Sequence, residues 1–403
     1  MKICIITARF YPQLVGSGTS AYVIANELSR RGHDVTVLTD ASLQDDSSHA
    51  GLPFTTRYVS SLENFSIGKA GFSETLYDLH RQVKLCSPDI IQVCNFMPML
   101  LVSIIRSEIK CPVVFTFFNT PVIGQRTTGY FSDAVLDTSL GSFILQQEAY
   151  DQLILGSRHY VDAALSLGAQ PENIKLSYLA PDVGSFNRSE RVLSLKDIVN
   201  NYFPTKDVLP PYLLLPSRIT QQKGIIEAID ALAIVNKQSE TAYNLLLTGM
   251  ADPFDKDYAR AVLARISELG LNEHILVPRR VISRNDLEVF FKEAQMVVVP
   301  SWYEGLGLAA IEAQYLGVPL AVSNTTGLNE VVEDGVNGVL FTPRNSHEIA
   351  NAALSILTSQ VNVSLMVHNA KETVVKFSLN KHIDELEETY RNVIIRYAQW
   401  PKD

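Results

Sequence analysis

The chain has 403 residues, of which 46% are hydrophobic and 19% are charged, and its formal net charge is −9. This length and apolar content suffice for two domains with a core each. The negative charge disfavours nucleic-acid binding, and no apolar run reaches the ~18 residues that a membrane-spanning helix needs. The first residues lack the basic region and long apolar segment of a signal peptide, so the sequence predicts a cytoplasmic protein.

Short apolar runs alternate along the chain with segments of helical periodicity. Parallel sheets covered by helices produce such runs because their strands are buried on both faces. In the first half the predicted strands are Ile3–Thr7, Val35–Thr39, Ile90–Val93, Val113–Phe117, Leu153–Leu155 and Ile174–Leu179. In the second half they are Tyr212–Leu215, Leu245–Thr248, Ile275–Val277, Met296–Val299, Leu320–Ser323 and Val339–Phe341. Two such series predict an α/β protein with two Rossmann-like, doubly wound parallel sheets.

Polar residues and prolines interrupt both periodicities over Asn187–Pro211, which predicts a linker there. The N-terminal Rossmann-like domain is therefore expected to span residues 1–200 and the C-terminal one residues 207–379. The remaining stretch, Asn380–Trp400, has the pattern of an amphipathic helix. Its apolar face is expected to contain Ile383, Leu386, Tyr390 and Ile394.

A loop with two glycines, Gly16 and Gly18, precedes the first predicted helix, Ser20–Arg31. Glycines in such a loop allow the backbone to approach the phosphates or the sugar of a ligand. The spacing GSG is neither GxGxxG nor GxxxxGK[ST]. The loop therefore indicates neither a dinucleotide cofactor nor nucleoside triphosphate hydrolysis.

Two cations, Arg218 and Lys223, flank the turn that follows the first predicted strand of the second sheet. Ligands of open α/β sheets bind at this end of the strands. A guanidinium grips phosphate oxygens with two prongs and an ammonium is a mobile point charge, so together they can neutralise a diphosphate leaving group. The alternative is a pair of surface cations, although cations are disfavoured near a helix start unless an anion is shared.

The densest motif is PSWYEGLGLAAIEA, which begins where the strand Met296–Val299 ends. Glu304 lies in the turn, and a helix is expected to follow. Glycines allow close approach of a ligand, and the unpaired N–H groups of a helix start attract an anion. The residues of this predicted diphosphate cradle are Gly305, Leu306, Gly307 and Leu308.

Glu312 lies about two turns into the same predicted helix. A carboxylate at this distance from a diphosphate can accept hydrogen bonds from vicinal ribose hydroxyls. The alternative is that Glu304 is a solvated turn residue and Glu312 an ordinary helix glutamate.

A competing metal signal is the D-x-D pattern of Asp255 and Asp257, whose carboxylates suit Mg or Mn. Acidic residues are also common at a helix start such as the one predicted at Tyr258, for reasons of capping and dipole alone. The sequence therefore predicts no metal and no cofactor. The cysteines Cys4, Cys86, Cys94 and Cys111 contain no CxxC pair and are expected to be buried thiols.

The combination of motifs resembles the family-4 retaining glycosyltransferases of the GT-B fold, over nearly the whole chain. The resemblance rests on PSR-x4-KG, EGLGLAAIEA, GVPLAVSNTTGLNEVVEDGVNG and the opening loop with RGHDVTVLT, in that order. It implies two Rossmann-like domains that face a cleft, and a C-terminal helix, about residues 380–403, that returns to the N-terminal domain. It also implies metal-independent transfer of a sugar from a nucleotide diphosphate sugar to an acceptor hydroxyl with retained configuration. Family frequency favours a UDP-sugar over a GDP-sugar.

The resemblance also implies roles for individual residues. Arg218 and Lys223 would bind the donor diphosphate and Glu304 would contact the transferred sugar, which makes these three the catalytic candidates. The segment VPRRVISRNDL resembles the lining of the base pocket, and TGM resembles the glycine turn beside it. The donor-binding candidates are Gly18, Gly249, Val281, Glu304, Gly305, Leu306, Gly307, Leu308 and Glu312.

The acceptor side departs from the family pattern. Many members carry T-x-H-[DG] after the fourth strand, where this chain has FTFFNT, with Phe118 and Asn119. The preceding VHxH-like turn reads QVCNF, with Cys94 and Asn95. The acceptor-side candidates are Ser17, Asn95, Phe118 and Asn119.

The acceptor implied by the resemblance is a small molecule, a glycan or a lipid-linked sugar. A lipid acceptor would imply peripheral association with a membrane. Two rival functions stay open at this point. One is a nucleotide-sugar epimerase or hydrolase, and the other is a non-catalytic partner subunit, which Phe118 suggests.

Overall fold

The computed structural model describes residues 1–10, 16–43, 49, 51–62, 70–118, 134–147, 149–181, 183, 194–204, 208–249 and 256–399. The chain divides into two compact units. Unit 1 consists of Met1–Ala180 and Leu379–Asp403, and unit 2 of Pro181–Ser378. Among the helices of the described ranges, none combines the length and the apolar composition needed to cross a membrane.

Unit 1 contains a parallel sheet of seven strands in the order β3-β2-β1-β4-β5-β6-β7. The strands are β1 Lys2–Thr7, β2 Asp34–Asp40, β3 Thr55–Val59, β4 Ile90–Cys94, β5 Val113–Thr116, β6 Gln152–Leu155 and β7 Ile174–Leu176. Six of them coincide with the predicted runs. The sequence analysis missed β3, because this edge strand is only partly buried and therefore has no continuous apolar run.

The helices that follow these strands are α1 Gly16–Arg30, α2 Ala70–Cys86, α3 Phe96–Ile104, α4 Ala134–Gln146 and α5 Arg158–Ser166. Helix α1 begins at Gly16 rather than at Ser20, so Gly18 lies in its first turn and not in a loop. Glycine and serine have low helix propensity, so the sequence analysis predicted the start of the helix too late. Burial of one helix face outweighs propensity here, and that face contains Ala21, Ile24, Ala25 and Leu28.

Unit 2 contains a parallel sheet of six strands in the order β10-β9-β8-β11-β12-β13. The strands are β8 Tyr212–Leu215, β9 Asn244–Leu247, β10 Ile275–Leu276, β11 Met296–Val299, β12 Leu320–Ser323 and β13 Val339–Phe341. All six coincide with predicted runs, so the predicted pair of parallel α/β sheets is confirmed. The strand order reverses between β8 and β11, which are neighbours in register Met296↔Leu213 and Val297↔Leu214. Open sheets bind ligands at such a reversal, beyond the carboxyl ends of the strands.

The helices of unit 2 are α6 Leu195–Tyr202, α7 Ile225–Gln238, α8 Lys256–Glu268, α9 Arg284–Glu293, α10 Leu308–Leu316, α11 Leu328–Val331, α12 Ser346–Leu357 and α13 Val363–Thr373. Helix α6 lies inside the predicted linker and belongs to unit 2, although the sequence analysis assigned residues up to 200 to the first domain. A capping box of Ser194 and Asp197 starts this short helix. Its buried face, which the surrounding prolines and charges obscured, contains Ile198, Val199 and Tyr202.

Helix α14, Leu379–Gln399, belongs to unit 1, as predicted for the C-terminal helix. Its buried apolar face contains Ile383, Leu386, Tyr390 and Val393. The hydroxyl of Tyr390 donates a hydrogen bond to Gln92 in the middle of β4. Of the predicted face, only Ile394 is partly exposed.

His382 of α14 should make the stability of the protein dependent on pH. Its ring is buried, and its Nδ1 lies 2.9 Å from Ser177 Oγ. Burial disfavours the charged ring and lowers the pKa of His382 from 6.5 to about 4. The free energy of unfolding should therefore hold its full value above the unfolded pKa and fall by about 3 kcal/mol as the pH drops from about 6.5 to about 4.

Urea unfolding between pH 7.5 and pH 4.5 measures this effect. Replacing His382 with leucine should flatten the dependence, because a side chain without a titratable group gains no proton on unfolding. The exposed His368 offers a matched control, and His368→Leu should keep the wild-type slope. An unchanged slope in His382→Leu would assign the acid sensitivity to other groups.

Candidate functional site

Two loops of unit 2 touch at the carboxyl edge of its sheet, one after β8 and one after β11. Gly224 closes the first loop in a left-handed conformation with φ of 65°. A Cβ at this position would lie 2.1 Å from the carbonyl oxygen of Pro300, so only glycine allows this approach. The Trp302 N–H also donates to the carbonyl of Gln222 at 2.8 Å. The loops are therefore held in contact by their backbones.

A charge pair joins the same loops. Lys223 Nζ lies 2.5 Å from Glu304 Oε1, and the two side chains are only 16% and 17% exposed. Ser301 Oγ donates to the same carboxylate oxygen at 2.8 Å. The structure thus brings together two of the three catalytic candidates and orients the Glu304 carboxylate from two sides.

The turn after Glu304 leads directly into α10. Gly307 is the N-cap of this helix, with φ of 86° and no side-chain cap for the first N–H groups. Leu306 is buried below the turn. The loop after β12 supports Gly305, because a Cβ on Gly327 would lie 2.7 Å from its carbonyl carbon. The first N–H groups of α10, beginning at Leu308, form a positive helix end beside Lys223 and Glu304, suited to a phosphate group.

Trp302 ties the loops around this helix end to each other. Its Nε1 donates to Glu227 of α7 at 2.9 Å, and its carbonyl accepts from Thr325 Oγ1 at 3.0 Å. The guanidinium of Arg344, after β13, lies 3.8 Å above the indole ring. The next residue, Tyr303, is partly buried beside Glu304, and these two influences raise its pKa to about 12. Sequence reasoning did not single out Trp302, since its partners are far apart in the chain.

Arg218 and Gly249 meet at the neighbouring strand ends, after β8 and β9. A Cβ on Gly249 would lie 2.3 Å from the carbonyl oxygen of Ser217 and 2.7 Å from Arg218 Cα. The backbones of these two predicted donor-site segments therefore touch, which requires glycine at position 249. The side chain of Arg218 is exposed at this edge of the sheet.

Glu312 of α10 is buried, with 6% of its surface exposed, and pairs with a residue that the sequence analysis missed. Its Oε1 lies 2.6 Å from Nη1 of Arg284, the first residue of α9. Arg284 stands within the predicted base-pocket segment, but nothing in the spacing of the chain indicates that it reaches Glu312. A carboxylate with one oxygen on a guanidinium keeps a second oxygen for hydroxyl donors.

Val281 lies between β10 and α9, with 47% of its surface exposed, whereas its neighbour Ile282 is buried. This stretch, residues 277–283, is called the base segment below. Ser283 caps α9 by accepting from the N–H of Asp286. The base segment therefore has a defined end, where Arg284 turns toward Glu312.

Two acceptor-side candidates of unit 1 connect neighbouring strand ends. Asn95 follows β4 with φ of 70°, a conformation that a non-glycine residue adopts only when its surroundings hold it there. Its Oδ1 accepts from the N–H of Phe118 at 3.0 Å, and its own N–H donates to the carbonyl of Thr116 at 2.8 Å. The carbonyl of Phe118 accepts from the hydroxyl of Tyr160 at 2.6 Å. Both residues are buried and stabilise the local backbone.

The other unit 1 candidates are only partly described. Ser17 and Gly18 lie in the first turn of α1, and Gly18 is buried. Asn119 lies outside the described residues.

Of the two aspartates of the competing D-x-D pattern, the structure describes only one. Asp257 lies in the first turn of α8, where its carboxylate is 2.5 Å from Arg260 and 91% exposed. Asp255 lies outside the described residues. Within the ranges that the structure covers, no three acidic, histidine or cysteine side chains gather as a metal site would require.

The chain matches two protein-family models in succession. Residues 15–179 match the model described as Glycosyltransferase Family 4, and residues 203–373 match Glycosyl transferases group 1. An uncharacterized glycosyltransferase of Methanocaldococcus jannaschii is 25% identical over 398 residues, which cover 97% of this chain and 98% of the relative. The alpha-monoglucosyldiacylglycerol synthase of Streptococcus pneumoniae is 23% identical over 411 residues, which cover 98% of this chain and 86% of that relative.

Solved structures with the same fold cover almost the entire chain. Sucrose-phosphate synthase from Thermosynechococcus elongatus superposes with a TM-score of 0.81 at 19% identity, covering 98% of this chain and 99% of that one. HepE of Anabaena, in complex with UDP and glucose, superposes with a TM-score of 0.76 at 21% identity, covering 97% and 99%. Likeness at this level of identity establishes the fold, with one parallel α/β sheet in each unit.

Proposed function

This chain belongs to glycosyltransferase family 4 of the GT-B fold, and we propose that it transfers a sugar from a UDP-sugar to an acceptor hydroxyl with retained anomeric configuration. The observation that carries the proposal is the Lys223–Glu304 pair beside the uncapped start of α10. A cation, a carboxylate and a helix N-terminus in one turn suit a sugar diphosphate, whose phosphates are anionic and whose sugar carries hydroxyls.

In this proposal the donor diphosphate binds to the first N–H groups of α10 and to Lys223. An ammonium has three N–H donors, so Lys223 can hold Glu304 and still donate to phosphate oxygens. Arg218, exposed at the same edge of the sheet, supplies a second cation. Glu312 accepts from the ribose hydroxyls, with Arg284 holding its carboxylate in place.

Negative charge grows on the nucleotide diphosphate as the bond to the sugar breaks. Lys223, Arg218 and the α10 N-terminus stabilise this charge, which is the largest single contribution in many enzymes. The acceptor hydroxyl attacks on the face that the leaving group vacates and gives its proton to the departing phosphate, so the configuration is retained. Glu304 orients the sugar and screens the cationic transition state, and it forms no covalent bond. Because the cations and the helix neutralise the diphosphate, we propose that the reaction needs no metal ion.

The choice of UDP over GDP is supported by the likeness to HepE, whose structure holds UDP and glucose. The name of the S. pneumoniae relative describes a glucosyl-lipid product. We propose an acceptor hydroxyl on a small molecule, a glycan or a lipid-linked sugar. The acceptor-side roles of Ser17, Asn95, Phe118 and Asn119 stay predictions.

Binding and turnover with a panel of UDP- and GDP-sugars test the proposal. A UDP-sugar at about 100 times its Kd should stabilise the folded protein by about 2.7 kcal/mol, because it binds only that state. EDTA should change neither the shift in Tm nor the turnover. NMR of the transferred sugar should show the anomeric configuration of the donor.

The same panel separates the rival functions. Consumption of the donor without any second substrate would indicate an epimerase or a hydrolase. Donor binding without turnover on any acceptor would indicate a non-catalytic subunit. If no nucleotide sugar shifts the Tm, the proposed function is wrong.

A further inference from the structure

Helix α6 places one buried side chain, Tyr202, against the base segment. Tyr202 is 2% exposed, and its ring packs edge-on against Phe290 of α9, with the ring centroids 5.7 Å apart. Both helices belong to unit 2. The ring of Tyr202 therefore packs against α9, and its polar atoms contact the segment that precedes this helix.

Tyr202 makes hydrogen bonds to this segment at Arg279 and at Ser283. Its hydroxyl accepts from the N–H of Ser283 at 3.0 Å and donates to Asp286 Oδ2 at 2.7 Å. Its carbonyl accepts from the N–H of Arg279 at 3.1 Å. Between these contacts, the guanidinium of Arg280 lies 5.0 Å above the ring. Tyr202 thus contacts residues 279–283 through its carbonyl, its ring and its hydroxyl.

The segment is also continuous with the site for the donor. Arg284 directly follows Ser283 and lies 2.6 Å from Glu312, the residue proposed to bind the ribose. A shift of the base segment would therefore move the partner of Glu312 as well. The contacts of Tyr202 and those of Glu312 are joined by the peptide bond between Ser283 and Arg284.

We propose that Tyr202 is a positioning residue that holds the base segment in the conformation that receives the base of the donor nucleotide. This inference rests on the proposed function. A segment that lines a base pocket must be held within a few tenths of an ångström to receive the base, which depends on the surrounding hydrogen bonds. Loss of the hydroxyl removes the acceptor of the Ser283 N–H, so the segment must be ordered anew each time a nucleotide binds.

The test compares two Tyr→Phe variants of unit 2. Tyr202→Phe removes the hydroxyl that contacts the base segment. Tyr212→Phe is the matched control, because this buried hydroxyl of β8 donates only to the carbonyl of Phe290, at 2.7 Å. Isothermal titration measures the Kd of UDP and of GDP, and competition measures the Kd of inorganic pyrophosphate.

We expect Tyr202→Phe to weaken the binding of the preferred nucleotide about tenfold and that of pyrophosphate less than about twofold. In sugar transfer to an acceptor, the KM for the nucleotide sugar should rise while kcat stays constant, because the phosphate contacts are intact. Tyr212→Phe should leave both Kd values within about twofold of wild type, although it also removes a hydroxyl that donates a hydrogen bond within unit 2. Asp286→Asn, which removes the charge from the acceptor of the Tyr202 hydroxyl, should weaken nucleotide binding by about threefold.

The outcomes separate this inference from the proposed function. If the wild-type protein binds neither UDP nor GDP, the proposed function fails and the inference fails with it. If the wild type binds and the two Tyr→Phe variants have the same nucleotide Kd, only the inference is overturned. Equal weakening of nucleotide and pyrophosphate in Tyr202→Phe would likewise overturn it, since that pattern indicates general loosening of unit 2.

Discussion

Replacing Lys223 with alanine should reduce sugar transfer by about 10²- to 10³-fold, with the protein still folded. Lys223 Nζ lies 2.5 Å from Glu304 Oε1, close to the N-terminus of α10. In the proposed mechanism, its removal takes away a charge that stabilises the departing diphosphate, and it also removes one of the two groups that contact the Glu304 carboxylate. Release of UDP from the donor, measured with and without acceptors, gives the rate.

A lysine of the adjacent helix provides the control for this variant. Lys237 is exposed in the last turn of α7, far along the same helix that Lys223 precedes. Lys237→Ala should keep wild-type turnover and a wild-type Tm. Turnover of Lys223→Ala close to that of the wild type would contradict the assignment of the diphosphate site.

The substitution Gly224→Ala should lower the free energy of unfolding of unit 2 by about 3 kcal/mol, and it should also abolish donor binding. Gly224 has φ of 65°. An alanine Cβ there would lie 2.1 Å from the Pro300 carbonyl oxygen, which is backbone and cannot rotate away. The loops after β8 and β11 must therefore separate, and this separation pulls Lys223 away from Glu304.

Gly270 separates the strain of the left-handed conformation from the clash with Pro300. It has nearly the same conformation, with φ of 66°, but a Cβ there would meet no atom within 4 Å. Gly270→Ala should cost about 1 kcal/mol, the strain of the left-handed conformation alone. Urea unfolding gives both values, and titration with UDP follows the site. Equal destabilisation in the two variants would show that the contact of Gly224 with Pro300 can relax.

The strand series and the positions of the motifs were predictable from the sequence. Strands buried on both faces need continuous apolar residues. Such runs can be recognised in the sequence without knowing the order of the strands in the sheet. The glycines of the loops were equally visible in the sequence, and a close approach of backbone such as those at Gly224 and Gly249 requires glycine. These local requirements led to the parallel α/β units and to the turn that carries Glu304.

The partners of the site residues were decided only by the tertiary structure. Lys223 and Glu304 are 81 residues apart in the chain, and they meet because β8 and β11 are neighbours in the sheet. Arg284 meets Glu312, and Tyr202 of α6 meets the base segment, only because helices distant in the chain pack side by side.

The physical reason for this division lies in the range of the forces. Apolar periodicity, helix capping and glycine conformation act within a few residues, so the sequence by itself determined twelve of the thirteen strands that the structure describes and the position of the glycine turn before α10. A charge pair or a buried hydroxyl acquires its partner only when strand order and helix packing bring distant residues to within 3 Å. For this protein, the tertiary structure alone decided that Lys223 holds Glu304, that Arg284 holds Glu312, and that Tyr202 supports the segment between β10 and α9.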